Sequence, residues 1–147
     1  MYGELLEVLR GTLTILGRGD VGRWGERKAF QYVQSQGLHP IETNWRSVRY
    51  EADILALDGR TLVAVEVKTR QHKHRVAYPA IDAVDREKCA ALQKLIGRFE
   101  RRNAPMLRRL SIRGTRIDVV EVYYKRRSIL GLMVVEILLH RDLLQEH

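Results

Sequence analysis

The stretch Tyr50-Glu-Ala-Asp-Ile-Leu-Ala-Leu-Asp-Gly-Arg-Thr-Leu-Val-Ala-Val-Glu-Val-Lys-Thr-Arg70 contains two short apolar runs, residues 51–57 and 61–68, on either side of Asp58-Gly59. Both runs are rich in Val, Ile, Leu and Ala, and an Asp-Gly pair between such runs is a strong hairpin signal. Neither alternates cleanly between apolar and polar residues, which points to a sheet covered on both faces. Pairing across a two-residue Asp58-Gly59 turn sets Leu57 opposite Arg60. One face then carries Glu51, Asp53, Leu55 and Leu57 with Leu62, Ala64, Glu66 and Lys68. The other carries Ala52, Ile54 and Ala56 with Val63, Val65 and Val67, and no polar side chain.

The charge of the hairpin is thus gathered on one face at one end. In this pairing Asp53 and Glu66 are diagonal neighbours with Cβ atoms ~7–8 Å apart, near enough for both carboxylates to reach one cation. Carboxylates crowded on an apolar hairpin repel each other and lose hydration, which raises their pKa values unless a cation intervenes. A few hard oxygen ligands with room for water and phosphate suit Mg²⁺ or Mn²⁺, and the Val67 carbonyl can add a ligand. Such an ion orients an attacking water and neutralises charge on a phosphodiester. Lys68, one step further along the face, is placed to assist the water or stabilise that charge. The competing reading is structural: an Asp53–Lys68 or Glu66–Lys68 ion pair that only holds the hairpin. As a bare string, Asp, gap, Glu-x-Lys recurs by chance, and its weight here comes from its setting in two apolar strands.

N-terminal to the hairpin, Asp20 can cap a helix that runs to about Gln36 and is ended by Gly37. Gly22, Glu26, Ala29, Phe30 and Val33 fall on one stripe of it. A glutamate in an apolar stripe is costly unless a cation meets it, so Glu26 joins the candidate site, with Gly22 and Gly25 offering no side chain to obstruct a close approach. Residues 41–44 read as a first strand, followed by a basic connection containing Arg46 and Arg49. Residues 1–19, with an amphipathic piece and three glycines after it, read as an extension of a domain spanning 20–147.

C-terminal to the hairpin, the segment Arg70-Gln-His-Lys-His-Arg75 reads as a loop whose Arg70, Lys73 and Arg75 contact phosphate, or as an ordinary solvated loop. His72 and His74 have no accompanying ligand cluster and do not make a zinc site. Pro79 opens a second helix with Ile81, Val84, Lys88, Leu92, Leu95 and Phe99 at helical spacing. Lys88 on that stripe either snorkels or contacts phosphate. A basic, loop-like stretch leads to Arg116, and residues 117–124 and 129–137 form a strand pair around a Lys125-Arg126-Arg127 turn. The order is helix, three strands, helix, two strands, an α/β layered domain with a mixed sheet.

Composition bounds the partners. The chain of 147 residues has 26 Lys and Arg against 18 Asp and Glu, a net charge of +8, which attracts polyanions such as nucleic acid. The bland alternative is that many small proteins are merely basic. A single cysteine, Cys89, excludes an internal disulfide and reads as a small core residue. No apolar run is long enough to span a bilayer, and Glu4 and Glu7 stand where a signal peptide carries positive charge. A cytoplasmic protein without a membrane partner is the expectation. Trp24 and Trp45 are assigned to packing rather than base stacking.

These residues resemble the YraN-like proteins, a bacterial family with the restriction-endonuclease-like PD-(D/E)XK fold. The matching pieces are Gly22-Arg-Trp-Gly-Glu-Arg-Lys-Ala29, Gly37-Leu-His-Pro-Ile-Glu-Thr-Asn44, Glu51-Ala-Asp53, Leu62-Val-Ala-Val-Glu-Val-Lys-Thr-Arg70, Pro79 with Val84 and Lys88, and Arg116-Ile-Asp-Val-Val120. The resemblance covers about residues 20–140. It departs from the family at Tyr50-Glu-Ala-Asp53, where Gly-Glu-Ile-Asp is usual, and at Arg116-Ile-Asp118, where Arg-Phe-Asp is usual. It implies a three-layer fold with an α-β-β-β-α-β core and a site of Asp53, Glu66 and Lys68 with Glu26 from the first helix. That layout is similar to the archaeal Holliday-junction resolvases, by analogy of fold alone. The expected activity is metal-dependent endonucleolytic cleavage of DNA, selective for structure such as junction or flap DNA, with a homodimer as the candidate assembly. The rival is a non-catalytic nucleic-acid-binding module on the same fold.

Overall fold

A computed structural model of the chain describes residues 18–77, 79–127 and 131–143. The assigned extension, residues 1–19, therefore lies almost wholly outside the described residues. Helix α1 (Arg18–Ser35) is followed by strands β1 (His39–Ser47), β2 (Tyr50–Asp58) and β3 (Thr61–Gln71). Two 3-10 turns (His72–His74 and Ala80–Ala83) lead to helices α2 (Arg86–Arg102) and α3 (Ala104–Arg109), then strands β4 (Gly114–Arg127) and β5 (Gly131–His140). The sheet order is β1-β2-β3-β4-β5, with β3 and β4 parallel and every other neighbour antiparallel. This is the three-layer, restriction-endonuclease-like α/β fold.

Two apolar clusters cover the two faces. Val21, Trp24, Ala29 and Val33 of α1 pack on Ile54, Ala56, Val63, Val65, Val120, Val122 and Tyr124. Leu92, Leu95, Ile96 and Phe99 of α2 pack on Ala52, Leu55, Leu62, Ala64 and Ile117. Trp24 meets Tyr124 edge-on at 5.9 Å, and Trp45 meets Phe99 at 5.2 Å, so both tryptophans pack. Truncating a fully buried member such as Leu95 to Ala costs about 2–5 kcal/mol, the lost transfer energy plus a cavity.

Local chemistry explains the ends of the helices. Gly37, at φ +87°, closes α1: Leu38 N–H donates to the Val33 carbonyl at 3.0 Å and Gly37 N–H to the Gln34 carbonyl at 3.1 Å. Asp20 lies in the first turn of α1, which begins at Arg18 rather than after Asp20. The second helix likewise opens later than Pro79. The chain first makes the Ala80–Ala83 turn, and α2 begins at Arg86, where the Asp85 side chain accepts the Lys88 N–H at 2.9 Å. The stretch expected to be a loop before Arg116 contains α3, opened by a proline in its first turn and anchored by buried Leu107. Lys125, Arg126 and Arg127 belong to β4, which runs past the expected turn.

The hairpin forms with a different register. Asp58 faces Thr61 and Leu57 faces Leu62, so the turn residues are Gly59 and Arg60. Gly59, at φ +57°, takes the first central position, as in a Gly-X hairpin turn, rather than the second of an Asp-Gly turn. A shift of two residues preserves which side chains share a face along most of the hairpin. The exception is Ala52, which packs with Leu55 on the α2 side and not with Ile54. Alternation breaks at Asp53, where β2 leaves β3.

Candidate active site

Cα pairing between β2 and β3 ends at Ile54 and Val65. Continued one step, the same register would set Asp53 opposite Glu66, but there the strands fork. The Val67 N–H, which an unbroken ladder would use on the neighbouring strand, instead donates to Asp53 Oδ2 at 2.7 Å. Asp53 is thereby held at the mouth of the fork. Burial and the charge of Glu66 push its carboxyl up to about 7, with Glu26 adding to the rise, while the Val67 N–H and the charge of Lys88 oppose it.

Glu66 is 3% exposed. Lys68 Nζ lies 2.8 Å from its Oε1, and Lys88 Nζ, from the opposite layer, lies 3.2 Å from its Oε2. Despite that proximity Oε2 has no hydrogen bond, because the lysine is out of line with it. Glu26 reaches toward the fork from α1. Burial, then the charges of Glu51 and Glu66, raise its pKa against the pull of Arg23. The helix can bring it there because Gly25 is pressed against β3: a Cβ on Gly25 would fall 1.8 Å from Thr69 Oγ1. A Cβ on Gly22 would meet nothing, so of the two glycines only Gly25 serves close approach.

Among the described residues no three His, Cys, Asp or Glu side chains form a metal cage. The donors present are the buried Glu66 carboxylate, with an oxygen lacking a hydrogen bond, and the half-buried Asp53 carboxylate, with Glu26 near enough to raise the Asp53 pKa. That set fits Mg²⁺ or Mn²⁺, which bind through one or two carboxylates and keep most of their waters. Asp53 and Glu66 would hold the ion, with the Val67 carbonyl as a further oxygen.

The candidate phosphate contacts divide. Lys68, Arg70 and Arg126 line a cleft of about 600 Å³ that also touches Glu26 and Val67. Lys73 and Arg49 are exposed. Arg46 is ion-paired with Glu51 at 3.0 Å, and Arg75 with Glu136 while lying over the Tyr123 ring at 5.8 Å. Lys88 points to Glu66. Cys89 is half-buried rather than a core residue, and burial with the charges of Asp85 and Glu66 raises its thiol pKa, which leaves it a poor nucleophile.

Sequence reading missed three participants. Arg126 reaches the cleft because β4 extends through it. Glu51 presses on Glu26 electrostatically. Glu121 pairs in register with Lys68, is 2% exposed, and accepts from Tyr123 Oη at 2.8 Å and Ile81 N–H at 2.6 Å, with His140 Nε2 2.7 Å away. This network ties the Ala80–Ala83 turn to the sheet, since Ala80 N–H donates to Tyr123 Oη. The parallel register of β3 on β4, which carries these neighbours, has no local signature in sequence. Arg116 bridges Asp118 to Asp58 beside the hairpin turn, so Arg116-Ile-Asp118 ties β4 to β2 and builds structure.

Residues 25–122 match the profile of the family described as "Uncharacterised protein family UPF0102". The chain belongs to the UPF0102, or YraN-like, family. A UPF0102 protein of Beutenbergia cavernae is 40% identical over 106 residues, covering 72% of this chain and 84% of that relative. One of Paenarthrobacter aurescens is 39% identical over 102 residues, 69% of this chain and 78% of its own. A shorter match, to a UPF0102 protein of Pseudomonas savastanoi, reaches 51% over 55 residues, 37% of this chain and 45% of the relative. The family match spans Glu26, Asp53, Glu66, Lys68 and Lys88 and stops before β5. Among the described residues no helix is long and apolar enough to cross a membrane.

Proposed function

We propose that this UPF0102 protein is a divalent-metal-dependent endonuclease acting on DNA, selective for branched or otherwise irregular structure. The observation that carries the reading is the fork itself: half-buried Asp53 stands beside buried Glu66, and desolvation together with the charge of Glu66 pushes Asp53 up to about 7. Structural acids are seldom left repelling each other in this way, and displaced acids in a cleft mark functional sites. Mg²⁺ or Mn²⁺ held there would polarise a phosphodiester and orient an attacking water. Lys68 would stabilise developing negative charge, and Glu26 would hold a water or proton at the cleft side of the fork. Lys68, Arg70 and Arg126 along the cleft would receive the DNA backbone.

A second reading, a DNA-binding module without catalysis, draws on one observation: Lys68 and Lys88 already neutralise Glu66. Both readings are separated by incubating labelled single-stranded, duplex, flap and four-way DNA with Mg²⁺ or Mn²⁺, beside Asp53→Asn. Metal-dependent nicking by the wild type alone supports the nuclease. Salt-sensitive binding without cleavage of any substrate supports the binding module.

A further inference from the structure

We infer that Lys88 is the resident counter-ion of the fork, displaced from Glu66 when a divalent cation enters and thereby released to contact substrate phosphate. This rests on the nuclease reading above and adds to it a link between metal occupancy and DNA affinity.

Three observations carry the inference. Lys68 and Lys88 divide the two oxygens of Glu66, at 2.8 Å from Oε1 and 3.2 Å from Oε2. Oε2, the Lys88 side, is the oxygen left without a hydrogen bond, so this ammonium supplies charge without directional bonding. The two lysines also differ in origin. Lys68 shares β3 with Glu66, whereas Lys88 comes from α2, and its backbone N–H is held by the Asp85 cap at 2.9 Å. Movement of Lys88 is thus confined to its side chain. That side chain is 34% exposed, so a path to solvent is open to it, while the Glu66 side chain it neutralises is 4% exposed.

A cation shared by Asp53 and Glu66 would need an oxygen that Lys88 now faces. Two positive centres at ion-pair distance repel strongly in a poorly hydrated interior. The flexible four-carbon stem of lysine lets the ammonium swing out, which a constrained guanidinium fork would do less readily. Glu66 would exchange one positive partner for another, and the released ammonium would gain an anion when DNA arrives. By linkage, metal would then strengthen DNA binding and DNA would strengthen metal binding.

The experiment is calorimetric titration of the full-length protein with Mn²⁺ alone, comparing wild type, Lys88→Met and Lys88→Arg. Lys88→Met is expected to bind Mn²⁺ about tenfold more tightly, with no ammonium left to displace, and Lys88→Arg no more tightly than wild type. The metal-free melting temperature of Lys88→Met should fall, because Glu66 loses one of two cations. Equal or weaker Mn²⁺ binding by Lys88→Met, with wild-type binding intact, overturns this proposal and leaves the metal site standing. Binding by none of the three overturns both. DNA affinity gives a second readout, with Ca²⁺ as the probe ion. Lys88→Met should weaken binding several-fold more with Ca²⁺ present than without it. An equal loss in both states overturns the release.

Discussion

Asp53 and Val67 are joined across the mouth of the fork by a 2.7 Å hydrogen bond from the Val67 N–H to the Asp53 carboxylate. One acid thus does the work of a missing strand residue, occupying a backbone donor where the ladder ends, and does so in a place where its charge is costly. The two tasks separate by substitution.

Asp53→Asn retains an oxygen for the Val67 N–H and removes the charge that Glu66 repels. The metal-free protein should melt at the wild-type temperature or above it, while cleavage falls about a hundredfold or more. Clear destabilisation in the melting curve would identify Asp53 as a structural ion-pair partner instead.

The same carboxyl makes stability depend on pH. Its pKa is raised from 3.8 to about 7 on folding, so between those values the folded state holds a proton that the unfolded chain has released. The stabilisation is complete below 3.8 and is lost as pH rises toward about 7, levelling beyond it. Urea unfolding at successive pH values should show a wild-type decline of up to a few kcal/mol that Asp53→Asn lacks. Mn²⁺ affinity should rise over the same interval, since the ion competes with that proton. Parallel profiles for the two proteins would mean that Asp53 ionises freely.

Glu26→Gln removes an acid from the α1 side of the cleft. Cleavage should drop ~10–100-fold, as losses next to a metal site typically do. DNA affinity should hold or rise, because a negative charge has been taken from the path of phosphate. Undiminished activity would reduce α1 to a cover for the sheet.

Arg116→Met tests the structural ion cluster that joins β4 to β2. Asp118 is fully buried and bound twice by Arg116, at 2.8 and 2.9 Å, with Asp142 N–H as its other donor. Removing the guanidinium leaves a buried charge largely unpaired and should cost about 3–5 kcal/mol in urea unfolding. Mn²⁺ affinity of the folded protein should be unchanged, because Arg116 binds Asp58, beside the hairpin turn, and Asp118, and neither of the fork carboxylates.

Much of this layout could be read from residues. The apolar runs around Asp58-Gly59 are strong local signals, and shared faces survive a two-residue error in register because side-chain direction has a period of two. The error arose from one torsion: Gly59 leads its turn instead of following in it. What remained hidden was non-local. Nothing near Lys88 in sequence announces Glu66, since their contact depends on how a crossover helix lies on the sheet. Arg126 looked like a turn residue because strand length past the last apolar position leaves no hydrophobic trace. The helix Ala104–Arg109 did leave one, Pro105 followed by Met106 and Leu107, outweighed in the reading by the surrounding arginines.

Gly25 has a consequence for any mutational survey of this protein. Its bare Cα sets the seating depth of the first helix, and Glu26 follows one residue past the point of tightest contact. A single methyl group at position 25 would act as a shim, prying the helix from Thr69 and drawing the neighbouring acid out of the cleft. An alanine variant would then look like a catalytic knockout while every reactive group was still present. Restoring activity by trimming Thr69 to glycine would reveal the fault as one of clearance between two surfaces.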